Sequence, residues 1–192
     1  MKFRAVGLFL LGAVSTAVTA DNLDVNLRDE AIRAIYTMDM QSRGKGGVST
    51  EFGLLYSEDQ KKLDDTLYHL GLNVTGENWS QSGTFAITLG GRAYFSSSDQ
   101  GDMAALAFGG ALRFSPVHRV GVGGHVYYAP DITSFMDIKS FRETGVRVDY
   151  QILPQAFVYL GYRNIEVDLE DNLGGHNFEL DDDAHIGFKL LF

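Results

Sequence analysis

The chain has 192 residues, no cysteine and a formal net charge of −9 at neutral pH. No disulfide framework can staple the fold, and an acidic chain is a poor partner for nucleic-acid phosphates. Aromatic residues make up 12% of it, which together with many β-branched residues excludes a disordered chain.

The first twenty residues read as a secretory signal peptide. Lys2 and Arg4 give a short basic start. Ala5 to Val14 is almost wholly apolar, and Val18-Thr19-Ala20 offers small residues for cleavage before Asp21. The expected organisation is a signal at 1–20 and one folded unit at 21–192. After residue 20 no apolar run approaches the roughly 20 residues of a transmembrane helix. A mature chain that spans a membrane must then do so as a closed barrel, because lipid satisfies no backbone hydrogen bond.

Period two dominates the rest of the chain. Leu23, Val25 and Leu27 alternate in a short first strand over 22–27, and Arg28-Asp29-Glu30 can turn into a second over 31–40. Over 48–56, Val48, Phe52, Leu54 and Tyr56 oppose Ser49, Glu51, Gly53 and Leu55. A fourth strand is expected over 66–75. Over 84–95, Phe85, Ile87, Leu89, Gly91, Ala93 and Phe95 oppose Thr84, Ala86, Thr88, Gly90, Arg92 and Tyr94. Leu106, Phe108, Leu112 and Phe114 oppose Ala105, Ala107, Gly109, Ala111 and Arg113 within 103–114. Val120, Val122, Val126 and Tyr128 oppose Gly121, Gly123, His125 and Tyr127 within 119–128. Val146, Val148, Tyr150 and Ile152 oppose Gly145, Arg147, Asp149 and Gln151 within 144–152. Segments 155–168 and 179–192 complete the series. Each strand meets two different environments.

A soluble periplasmic barrel or sandwich also alternates. Its polar face would be rich in Lys, Glu and Thr, whereas here that face is Gly, Ala and isolated charges, which suits a cramped interior. The connections also differ in kind. Residues 115–118 and 153–154 are tight, while 57–65, 96–102, 130–137 and 170–177 are longer and polar or acidic. Short turns on one side and longer loops on the other are the layout of a transmembrane barrel. The sequence therefore predicts an all-β, closed antiparallel transmembrane barrel of ten strands in the bacterial outer membrane. Eight strands are the fallback, with 22–28 and one neighbour not crossing. Aromatics near strand ends (Tyr36, Tyr56, Trp79, Phe114, Tyr128, Tyr150 and Phe192) fit interfacial girdles. Expected partners are outer-membrane lipid and lipopolysaccharide, with no nucleic acid, and the chain is expected to be a monomer.

The last segment, Ala184 to Phe192, places Ile186, Phe188, Leu190 and Phe192 on one parity and ends on an aromatic. It looks like a terminal strand read by the barrel-assembly machinery. Tyr127-Tyr128-Ala129-Pro130, Tyr150-Gln151-Ile152-Leu153-Pro154, Gly161-Tyr162-Arg163 and Gly187-Phe188-Lys189-Leu190-Leu191-Phe192 together make the chain resemble the YfaZ family. That resemblance implies an outer-membrane barrel. It carries no activity, ligand or site residue with it.

Candidate chemistry is sparse. Ser115 and His118 could suggest a lipid-modifying enzyme, but with Pro116 between them they read first as a tight turn, and no enzyme activity is expected. The histidines are dispersed in sequence. Asp168, Glu170, Asp171 and Asp181 to Asp183 could form a loose divalent-cation site, although a charged rim is the plainer reading. No cofactor or resident metal is expected. The most informative set shares the small-residue parity: Glu51, Arg92, Arg113, Glu143, Arg147, Asp149, Arg163 and Lys189. In a narrow lumen these charges would pair and stiffen the barrel, or line a polar path for small solutes that the arginines make selective. Ten strands lie near the size at which side chains fill the interior, so general porin activity is not expected.

Deleting Phe192 is expected to slow barrel assembly. Pulse-chase of the folded, heat-modifiable form in outer membranes measures it, and unchanged levels would remove the residue from that role.

Overall fold

The computed structural model describes residues 21–43, 46–57, 65–80, 83–98, 101–136, 138–169 and 177–192. The expected signal at 1–20, and Glu170, Asp171 and His176, lie outside the described residues. Strands run over Asn22–Arg28 (β1), Ala31–Arg43 (β2), Gly46–Ser57 (β3), Asp65–Ser80 (β4), Gly83–Ser98 (β5), Gly101–Val117 (β6), Val120–Ala129 (β7), Ser134–Met136 (β8), Ile138–Leu153 (β9), Ala156–Leu169 (β10) and Asn177–Leu191 (β11). A single turn of 3-10 helix, Asp131–Thr133, precedes β8.

Ten of these strands close one antiparallel barrel. β1 pairs with both β2 and β11, so first and last strands seal the wall, with Leu23 opposite Leu190 and Leu27 opposite Ile186. Phe192 N–H donates to Asp21 O at 2.9 Å beyond the last pair, and the Phe192 ring lies 6.2 Å from that of Tyr36. β8 continues β7 outward along β6 after the 3-10 turn.

The expected parity sorts the side chains. Leu89, Leu160, Ile186 and Val146 are each more than 60% exposed on the outer face. A continuous apolar belt of that size in water would aggregate; against hydrocarbon it is the stable arrangement. Tyr68 lies opposite Phe95, and Phe95 and Phe135 both oppose Ala104, so these aromatics share one level at the end away from the chain termini. Phe85 opposite Phe114, with Tyr150 and Phe192, marks the other end.

Several boundaries differ from expectation. The 96–102 connection shrinks, because the β5–β6 ladder runs on to Ser98 opposite Gly101. β4 likewise extends through Ser80, opposite Gly83. Hairpin pairing propagates past polar residues once strands emerge from lipid, since backbone pairing does not depend on side-chain polarity. Ser115 and Pro116 are not a turn. They end β6 at an irregularity between Phe114 and Val117, where a proline costs no ladder bond, and the chain reverses at His118-Arg119 with Arg119 at φ 80°. The run Asp181 to Asp183 lies in β11 as the charged strand rim, but Asp181 itself is 1% exposed.

Gly109 shows how tightly the wall closes. A Cβ there would overlap the Val126 carbonyl on β7, whereas at Gly76 it would meet nothing. Gly109→Val is expected to abolish the compact, heat-modifiable species on gels while Gly76→Ala preserves it.

Candidate functional site

The site is the barrel lumen. Every residue of the expected charge set lies on the inward parity, and the structure gives each its surroundings. Glu143 on β9 has no solvent exposure. Its Oε1 accepts from Arg33 of β2 at 2.8 Å and Arg92 of β5 at 3.4 Å, and Tyr94 OH donates to Oε2 at 2.5 Å. His125 Nε2 of β7 stands 3.1 Å from Oε1. Arg92 also donates to Glu51 of β3, and His69 Nε2 of β4 lies 3.5 Å from the same Glu51 carboxylate. The Arg92 guanidinium sits 3.8 Å above the Tyr127 ring, whose hydroxyl donates to Asn73 Oδ1 at 3.1 Å. These contacts come from strands on all sides and cross the interior.

A second group lies between β1, β10 and β11. Arg163 donates to Asp181, and Arg28 Nη1 lies 2.9 Å from the same carboxylate and 3.1 Å from Asp183. Arg163 Nη1 also donates to Asn26 Oδ1 at 3.2 Å. A third lies toward the end carrying the termini. Arg113 donates to Asp149 at 2.6 Å and 3.2 Å, and Arg147 donates to Asp24 at 3.1 Å. Tyr159 OH donates to Asp24 as well, and Lys189 shares this end with both pairs. Burial explains the pairing: a lone charge in such a site costs several kcal/mol, so each arginine is met by a carboxylate.

The remaining candidates separate. Ser115 Oγ is buried with no hydrogen bond, and His118 is exposed in its turn. Asp181 and Asp183 serve arginines, Tyr162 OH donates to Asp182, and Ser140 Oγ donates to Asp168. Among the described residues no group of three or more His, Asp or Glu side chains is placed to hold a metal. Ile186, Phe188 and Leu190 face outward with Phe192.

Parity alone would have added Arg33, His69, Asn73 and Asp24 to the lumen set. The histidines are dispersed only in sequence; three of them, His69, His125 and His185, turn inward. Above the Glu143 network, at the end away from the termini, the inward positions become mostly apolar, with Arg28 and Ser57 as buried polar exceptions. Leu55, Leu67, Met103, Ile138, Phe141 and Val167 are among a buried cluster there.

A closed barrel with an apolar exterior and a charged, packed interior defines an outer-membrane β-barrel protein. A family model described as YfaZ precursor matches residues 1–192, the whole chain, and the chain belongs to that family. No curated protein matches it. Solved structures similar to it include the outer-membrane channel DcaP of Acinetobacter baumannii, at 16% identity and TM-score 0.41. That match covers 94% of this chain and 56% of the channel, so this chain spans little more than half that protein's length. The outer-membrane protease OmpT of Escherichia coli matches at 11% identity and TM-score 0.41, over 91% of this chain and 93% of the protease. OmpT of Vibrio cholerae matches at 11% identity and TM-score 0.38, over 89% of this chain and 64% of its own. At these values none of them bears on what this chain does.

Glu143→Ala leaves Arg33 and Arg92 short of a partner in a dry site. It is expected to destabilise the barrel by about 3–5 kcal/mol, read from urea unfolding in micelles, and Glu143→Gln by less.

Proposed function

We propose that this protein is a structural outer-membrane barrel whose axis is closed to solutes, and not a pore. The observation that carries the reading is Glu143: a carboxylate with no exposure, bonded to β2 and β5 from β9 across the lumen. A path for hydrated ions would have to break those bonds, and each broken pair leaves a charge in low dielectric. The apolar cluster beyond it adds a second barrier, since a dry apolar constriction resists wetting. The narrow-pore alternative would draw on Arg113 and Arg147, which are about a third exposed at the other end. They line only that end. Outer-membrane lipid surrounds the belt, and the barrel acts as a monomer.

The refolded protein in a planar bilayer is expected to give no discrete conductance steps. Removing the barrier with Arg92→Ala, Phe141→Ala and Glu143→Ala together should produce them. Ion-selective steps from the unaltered protein would reject the closed axis, and Arg92, Arg147 and Arg163 would then be neutralised in turn.

A further inference from the structure

Two of the inward charge groups centre on carboxylates cut off from water: Glu143 has no exposure and Asp181 1%. The third does not. Arg113 and Arg147 point into the lumen, yet their side chains keep 37% and 34% of their surface exposed. This end of the barrel carries the tight reversals at His118-Arg119 and Pro154-Gln155. Short turns mark the periplasmic side. Its inward side chains are therefore wetted from the periplasm. The wet space ends where Asn73, Arg92, Tyr127 and Glu143 fall to 9% exposure or less. The lumen thus holds a blind cup, with the Glu143 network as its floor.

Strand order divides the cup into two arcs. One arc, β6 through β9, β10 and β11 to β1, brings the charges. Arg113 donates to Asp149, and Arg147 to Asp24. Lys189 of β11 lies directly opposite Asp24 on one side and Phe157 on the other. The Phe157 ring centre is 5.9 Å from the Arg113 guanidinium. Lys189 therefore stands between the two pairs, but its own ammonium makes no ion pair among the described residues. The facing arc, β3 to β5, turns hydroxyls inward: Ser49, Thr75, Thr84 and Thr88 are all part-exposed. The Thr75 and Thr88 hydroxyls are 2.8 Å apart. Asp39 of β2 feels the Lys189 charge, but it lies further along β2 toward the mouth than Ile35, the partner of Asp24. At the rim, Glu77 accepts from Trp79.

We propose that this periplasmic cup binds a small phosphate ester of a polyol, with the phosphate between Lys189, Arg113 and Arg147 and the ligand's hydroxyls on the Ser49, Thr75 and Thr88 arc. A charge left without a partner in a part-buried site is costly, so the Lys189 ammonium favours an anion beside it. Each guanidinium has five N–H donors. Arg147 spends Nη1 on Asp24, and Arg113 spends Nε and Nη2 on Asp149, which leaves donors on both for a ligand. A phosphate accepts from donors arriving from several directions, whereas a carboxylate is satisfied by one guanidinium fork. Asp24 and Asp149 oppose a polyanion. The uncharged hydroxyl arc matches a polyol and not an apolar chain. The closed axis supplies the floor alone: conductance tests the floor, and ligand titration tests the cup.

The test is calorimetric titration of the refolded protein, in zwitterionic micelles, with glycerol 3-phosphate and with inorganic phosphate. Heat-modifiable migration on gels confirms that each variant is folded. Saturable binding of the ester is expected. Lys189→Gln should weaken it by about tenfold or more, the loss of a hydrogen bond to a charged group. Lys189→Arg should keep most of it. Asp39→Asn removes the competing carboxylate and should tighten binding, which a damaged fold cannot do. Lys139→Gln, an exposed lysine at the opposite end, should leave binding unchanged. The ester should bind more tightly than inorganic phosphate, and Thr88→Val should narrow that difference. No saturable binding at millimolar ester would overturn the proposal. So would equal affinity in Lys189→Gln and the unaltered protein, or an equal loss in Lys139→Gln, which would mean general attraction of anions. Equal affinity for phosphate and its ester would overturn the polyol half of the site.

Discussion

Hydrocarbon offers a peptide group no hydrogen bond, and every wall contact in this protein answers to that constraint. Among the described residues no helix is long and apolar enough to cross a membrane, and the constraint is met by pairing strands on both edges. The pairing of β1 with β11 is what removes the last free edge, through a strand of seven residues that would be marginal alone. The same constraint accounts for the odd piece of the wall. Where β7 stops, the chain makes one turn of 3-10 helix and continues outward as β8, so that the edge of β6 still finds partners.

Closure at ten strands then sets the problem of the interior. A ring of ten strands lies near the size at which side chains fill the interior, so the inward positions pack against and satisfy one another. They do so in layers. Charged pairs occupy the middle and the end near the termini, and an apolar cluster occupies the outer end. Inward glycines make room for large partners: the His69 ring occupies the space a Cβ on Gly53 would take, and the His125 ring does the same at Gly145. Small and large residues alternate across neighbouring strands for that reason, and the small-residue face seen in the sequence is the complement of the rings and guanidinium groups packed on it.

The layering links the two parts of the functional reading. A network such as that at Glu143 is a weak source of net stability, because desolvation cancels much of the attraction. Its consequence is geometric: it holds β2, β3, β4, β5, β7 and β9 to one another through the lumen.

What the sequence determined by itself is local. Period-two alternation decides the face of each side chain, since a strand turns its residues by half a revolution whatever surrounds it. From that alone Glu51, Arg92, Arg113, Glu143, Arg147, Asp149, Arg163 and Lys189 are expected on the inward side, whereas the count of ten drew also on the even strand number of such barrels, with eight as the fallback. Only the tertiary structure decided which of them meet. Arg33 and Glu143 are 110 residues apart in the chain and 2.8 Å apart in the lumen, and no periodicity encodes that pairing. Partners across a barrel depend on strand number, tilt and stagger together, which are properties of the closed ring and not of any segment. The acidic run at 181–183 shows the same limit. Alternation alone puts Asp181, on the parity of Lys189, inside and Asp182 outside, but that Asp181 meets Arg163 and Arg28 depends on how the neighbouring strands are registered against β11.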